Sequence, residues 1–152
     1  MRMIRFALGL PAALVLSAGL AFAADTGTPA EAKAMLERAV AEVTKDKAAA
    51  LEKFTKGEGG FKDRDLYPYC GGPDGNFTAH PSLVGKSLMS LMDKAVPPKP
   101  LGAEVYASAQ PGKISEVSYM WPRPDDPEKK PVEKVAYVTK VADQVCAVGY
   151  YK

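Results

Sequence analysis

Tyr119 and Trp121 lie two apart in the run Val117-Ser118-Tyr119-Met120-Trp121. A period of two places them on one face of a strand. A phenol hydroxyl and an indole N–H set in an aromatic wall suit a small polar ligand, which needs apolar enclosure and a few placed polar groups. The same pair can equally fill a core, with its polar tips reaching backbone or water. From the residues alone the two readings are level. Lys134 stands in a run, Val132 to Val141, that is otherwise mostly apolar. A lysine there can meet a ligand carboxylate as a compact positive charge, or it can be a solvated edge residue. Tyr137 falls on the opposite face from Lys134 under strict alternation, so both line one pocket only if a bulge intervenes. His80 is the single histidine of the chain. It can donate to a carboxylate and titrates near neutral pH, although a lone loop histidine is ordinarily a surface residue. Tyr67 and Tyr69 share a face, so one of them, Tyr69, can join a pocket, with core packing as the default.

Other chemistry is thinly supported. The chain has no G-x-S-x-G, H-E-x-x-H or phosphate-loop motif. One histidine leaves no evident triad or multi-histidine metal site. Enzyme activity, a metal and a cofactor are therefore not expected. Asp125 and Asp126 sit beside Glu128, Lys129 and Lys130 between prolines, which describes a solvated hairpin tip rather than a metal site. Asn76-Phe77-Thr78 matches a glycosylation sequon, a pattern short enough to arise by chance. Met89, Met92 and the neighbouring leucines are spaced as a helical core face.

The N-terminus is a targeting segment by composition. Arg2 and Arg5 precede the apolar run Phe6 to Leu20, and Ala21-Phe22-Ala23 fits the small-x-small rule for signal peptidase. The apolar run is shorter than the roughly 20 residues of a spanning helix. Cleavage after Ala23 is expected, with an uncleaved anchor as the alternative, so residues 1–23 are read as a signal peptide and 24–152 as one periplasmic domain. The chain carries 20 Lys+Arg and 18 Asp+Glu, and removing the two arginines of residues 1–23 leaves 18 of each. A neutral mature domain gives no argument for nucleic acid or an anionic membrane as partner. Cys70 and Cys146 are the only cysteines. Without a C-x-x-C or metal-type spacing, an isolated pair in an exported protein reads first as a disulfide, worth roughly 4 kcal/mol for so long a loop. Two buried free thiols are the alternative.

The elements that would position these residues follow from periodicity. Thr28-Pro29-Ala30-Glu31 is a helix start with a capping box. Leu36, Val40, Val43, Ala50, Leu51 and Phe54 continue a helical period until Gly57, Gly59 and Gly60. One helix over about 29–56 is predicted, roughly 40 Å long at 1.5 Å per residue. Its N-terminal part is expected to project or to pack on another chain. Asp65–Cys70 and Phe77–His80 read as a hairpin about a glycine-rich turn. A short helix is expected around Leu83–Met92 and a helical turn or two over Leu101–Ala109. The last third alternates, predicting three antiparallel strands with Pro122–Pro131 as a hairpin loop. Together these make an α+β domain with a five-stranded antiparallel sheet.

The order and spacing of these elements resemble a single Cache domain. The likeness is carried by Asp65-Leu66-Tyr67-Pro68-Tyr69-Cys70, Asp74-Gly75, Ala79-His80-Pro81 and Leu83-Val84-Gly85-Lys86. It continues through Val117-Ser118-Tyr119-Met120-Trp121-Pro122, Lys134-Val135-Ala136-Tyr137-Val138 and Val148-Gly149-Tyr150-Tyr151, about residues 29–152. The resemblance implies a PAS-like fold with a long N-terminal helix along the sheet. It also implies a pocket on one sheet face for a small ligand: a short carboxylate, amino acid or amine. The ligand would sit between the sheet and the short helices of residues 81–110, with Tyr119 and Trp121 walling it and His80 or Lys134 holding its anionic group. Such domains usually belong to chemoreceptors and histidine kinases, so a chemotaxis or two-component type system and a membrane receptor are the implied context. The other reading is an accessory or interaction protein that keeps the fold without a working pocket and docks, or forms a homodimer, through its long helix.

Overall fold

The structure is a computed structural model and describes residues 25–152; the expected signal peptide, residues 1–23, lies outside the described residues. Helix α1 spans Pro29–Lys45 and α2 spans Lys47–Lys56. Strands β1 (Pro68–Gly71) and β2 (Phe77–Ala79) follow, then α3 (Leu101–Ser108), β3 (Ser115–Pro122), β4 (Pro131–Val141) and β5 (Gln144–Tyr151). The strands form one antiparallel sheet in the order β2-β1-β5-β4-β3. The expected α+β class, the first hairpin and the C-terminal meander are all present.

The expected single helix over 29–56 is two helices. Its start is as predicted: Thr28 Oγ1 accepts from the Glu31 N–H, and the Glu31 carboxylate accepts from the Thr28 N–H at 2.8 Å. The break is at Asp46, whose backbone is extended (φ −155°, ψ 98°). Its Oδ1 accepts from the Ala49 N–H at 3.1 Å, so the residue that ends α1 also caps α2. Aspartate offers the backbone this alternative to a continuous helix. Nor does α1 project. Ala32, Met35, Leu36, Ala39 and Val43 are buried on the sheet together with Val135, Val148 and Tyr150, and α2 adds Ala50 and Phe54 to the same layer.

The second face of the sheet carries the other half of the core. Tyr69, Val117, Tyr119, Ala136, Val138 and Ala147 meet Leu101 and Val105 of α3 and Leu88 of the preceding segment. That segment is not the expected helix. Residues 80–100 run as turns and irregular chain, and Met89 and Met92, expected in the core, are exposed while Leu88 is buried. Pro81, Gly85, the serines at 82, 87 and 90 and the prolines at 97, 98 and 100 interrupt the helix formers there. A buried acid holds the segment instead. Asp93 Oδ1 accepts from the N–H groups of Ala95 (3.1 Å) and Lys99 (2.7 Å), and Oδ2 from that of Met120 in β3 (3.1 Å). Burial alone would raise its pKa, but these three bonds hold it below the usual carboxylate range.

Cys70 and Cys146 are bonded (S–S 2.06 Å), joining directly opposed positions of β1 and β5. β1 is the strand that attaches the first hairpin to the meander.

Candidate functional site

Pairing across the three long strands aligns Tyr119 of β3, Lys134 of β4 and Tyr151 of β5 in one row. One step further, Val117, Ala136 and Gly149 form the next row on the same face. The segment 77–101 closes over these rows and leaves a cavity of about 270 Å³. Its walls are Tyr67, Tyr69, Phe77, His80, Ser82, Leu83, Leu91, Leu101, Tyr119, Trp121 and Lys134. The volume sits at the small end of ligand pockets, which run from about 300 Å³ upward.

Lys134 is the one cation among these lining residues and is 4 % exposed. Its ammonium lies between two rings, 5.2 Å from the centroid of Tyr67 and 4.5 Å from that of Tyr151. Among the described residues it has no carboxylate at ion-pair distance and donates no hydrogen bond. Burial pushes its pKa down to about 8; nearby Lys62 and Arg123 add to this and Asp65 opposes it. At pH 7 the side chain is therefore still mostly charged.

His80 packs edge-on against Tyr67 (5.4 Å) and Phe77 (5.1 Å). Its Nδ1 accepts from the Ser82 N–H at 3.0 Å, which assigns the proton of the neutral ring to Nε2. Burial, reinforced by Lys134, lowers its pKa to about 4. At neutral pH His80 is an uncharged donor. Tyr69 and Tyr119 are buried, and burial pushes both phenols well above their ordinary pKa. They are hydroxyl groups, never phenolates, at physiological pH. Trp121 is half-buried, edge-on to Tyr119 at 6.3 Å. The lining offers one positive charge, neutral N–H and O–H donors, and otherwise aromatic and aliphatic surface.

Five of the expected residues, Tyr69, His80, Tyr119, Trp121 and Lys134, thus surround one cavity. Tyr137 does not. The ladder of β4 with both neighbours is unbroken, so no bulge turns it round. Its ring lies 5.5 Å from Tyr150 in the layer beneath α1. The segment expected to cover the ligand, 81–110, does supply walls, through Ser82, Leu83, Leu91 and Leu101, none of which was singled out as a pocket residue. Tyr151 was also missed as the second ring over Lys134. Finding it requires the β4–β5 register, which alternation within one strand does not contain.

A second cavity, about 410 Å³, lies beyond Tyr151. It is lined by acids (Asp25, Asp65, Asp125) and bases (Lys62, Arg64, Arg123) together. Arg64 is paired with Glu31 and Asp63, and Arg123 stacks on Tyr151 at 4.6 Å. The opposed charges largely compensate one another, and no single anion or cation is called for.

No family model and no curated protein sequence matches the chain. Solved structures do match. A methyl-accepting chemotaxis protein from Vibrio parahaemolyticus RIMD 2210633 superposes with TM-score 0.62 at 24 % identity, covering 80 % of this chain and 86 % of that one. The periplasmic sensor domain of a chemotaxis protein gives TM-score 0.57 at 22 % identity over 78 % and 86 % of the two chains. A Cache chemosensory domain, described for its recognition of carboxylic acids, gives 0.50 at 19 % identity over 78 % and 84 %. The fold is that of the Cache-type periplasmic sensor domains of chemotaxis receptors.

Proposed function

We propose that the protein is a periplasmic receptor for a short monocarboxylate, exported by residues 1–23 and acting through a membrane receptor of the chemotaxis or two-component type. One observation supports this above the rest: Lys134 is buried at the wall of an otherwise aromatic and aliphatic cavity, with no carboxylate at ion-pair distance among the described residues and only the more distant Asp65 to offset its charge. A buried charge of this kind is costly unless a counter-ion meets it. In this reading the ligand carboxylate lies against Lys134, within reach of the hydroxyls of Tyr119 and Tyr69 and the Nε2–H of His80. Its tail faces Leu83, Leu91, Leu101 and Trp121. The single lining cation favours one carboxylate over two, and the pocket lining holds no carboxylate to pair with an amine.

The test is a thermal-shift and calorimetric screen of residues 24–152 against acetate, propionate, butyrate, succinate, alanine and ethylamine. A ligand at 100 times its Kd stabilises the folded state by about 2.7 kcal/mol, which raises Tm by several degrees in a domain of this size. The expected result is a rise with a monocarboxylate, lost in Lys134→Met and reduced in Trp121→Ala. No rise with any carboxylate would reject the reading and favour an accessory protein that docks on a partner or a second copy.

A further inference from the structure

Beneath the Lys134 and Tyr119 side chains that wall the cavity lies a strand glycine, Gly149, whose backbone does not require glycine. Gly149 lies in β5 and is absent from the positive-φ glycines, so any residue could adopt its conformation. Glycine inside a strand weakens it, because it packs nothing and loses more entropy on folding. The space above it supplies the reason. A Cβ at position 149 would fall 2.8 Å from Cε and 3.5 Å from Cδ of Lys134, and 3.0 Å from the hydroxyl of Tyr119. The 2.8 Å contact forces the lysine stem to move and the 3.0 Å contact presses on the tyrosine hydroxyl, while 3.5 Å is ordinary packing. Tyr119 starts on β3 and Lys134 on β4. To reach β5 they cross about two and one inter-strand spacings of roughly 4.8 Å. The residue that Tyr119 must pass over is Ala136, also small. Two polar side chains from two strands thus converge on a point of β5 that has no side chain.

We infer that Gly149 is the positioning residue of this pocket: its missing side chain is what allows the Lys134 stem and the Tyr119 hydroxyl to lie side by side over β5. The inference deepens the carboxylate reading, because this convergence defines where an anionic headgroup sits. Lys134 lies between the Tyr67 and Tyr151 rings, with Asp65, Lys62, Arg123 and His80 as its charged or titratable neighbours. A methyl group at 149 lifts it out of this setting toward the cavity mouth.

The decisive experiment needs no ligand. Residues 24–152 are prepared with lysine labelled with carbon-13 at Cε, and the Lys134 resonance, assigned through Lys134→Met, is titrated. The expected wild-type midpoint is about 8. In Gly149→Ala it moves up toward the ordinary lysine value of about 10.4, as the displaced ammonium regains water. A midpoint unchanged within about 0.3 overturns the inference, whatever the ligand proves to be. If the wild type binds propionate, Gly149→Ala weakens it at least about tenfold, or roughly 1.4 kcal/mol. A wild type that binds no carboxylate refutes the functional proposal and leaves the titration result standing. Should Gly149→Ala not fold, the background Lys134→Ala with Tyr119→Phe removes the atoms that the methyl would meet. Adding Gly149→Ala there must leave Tm unchanged within about 1 °C, since two sites that interact are non-additive. A loss of folding on that background as well assigns the glycine a purely structural role and overturns the inference.

Discussion

A lysine ammonium taken out of water loses hydration that aromatic faces restore only in part. Lys134 is in that position, and its chemistry sets opposite signs for stability and for binding. Its pKa is about 8 in the folded chain against an ordinary 10.5, so between those values the unfolded chain binds more protons. Stability therefore rises with pH across that window, and below pH 8 the buried charge costs the fold roughly 3 kcal/mol at most. Lys134→Met should accordingly raise Tm at pH 7 while removing carboxylate binding, which differential scanning calorimetry and titration calorimetry would show together. An equal loss of both would mean that the lysine is structural. Affinity for a monocarboxylate should stay level from about pH 6 to 7 and decline as pH passes 8, because the bound anion needs the protonated lysine. His80 adds no step to that profile near 6.5, since its folded pKa of about 4 keeps it neutral. Its effect is on stability, which falls as pH drops from 6.5 toward 4, where the unfolded chain takes up the proton first. A binding profile with a midpoint near 6.5 would contradict this neutral role.

The segment over the pocket is an element without regular hydrogen bonding, and Asp93 takes the place of a helix in holding it. Asp93→Ala removes the acceptor of three buried or part-buried N–H groups. The expected loss is about 2–3 kcal/mol, measured by urea unfolding, together with weaker ligand binding as Leu91 loses its place. A loss under about 0.5 kcal/mol would show that the prolines hold the segment by themselves. Because the folded carboxyl is held below its ordinary pKa, its contribution is present above that ordinary value and is lost as pH falls below it. At Asp46 the expectation is smaller. Asp46→Ala removes the cap of α2 and should cost about 1 kcal/mol, with the pocket unaffected because both helices lie on the other face of the sheet.

At the scale of the whole molecule the sheet is the shared wall between a helical layer and a ligand layer, and the disulfide ties its two halves. The bond joins residues 76 apart in sequence, and closing such a loop restricts the unfolded chain by roughly 4 kcal/mol. Cys70→Ala with Cys146→Ala should lower stability by about that amount, read from denaturant midpoints, with greater loss of order at β1 and β2 than in the meander. Since β1 carries Tyr69 and leads to Phe77 and His80, carboxylate affinity should drop as well. Unchanged affinity in the reduced protein would show that the first hairpin holds its place by packing alone.

Much of this was legible in the residue pattern. The capping box of α1, the alternation of β3 to β5, the hairpin turns and the cysteine pair each rest on contacts within a few residues or on a simple period, so Tyr119, Trp121 and Lys134 could be placed on strand faces from sequence. The opposition of Lys134 and Tyr137 was legible too, because the period of two admits no other outcome without a bulge. Four things depended on distant chain. Asp46 breaks the helix where α1, lying mainly on β4 and β5, gives way to α2, lying on β1 and β2. Residues 80–100 follow the acceptors of Asp93 rather than their own leucine spacing. Tyr151 meets Lys134 only through the β4–β5 register. Gly149 shows its purpose only when Lys134 and Tyr119 are laid across it. Local periodicity reports which face a residue occupies; which residues then share a cavity is set by strand register and by the loops that close it, and neither is encoded within any one segment.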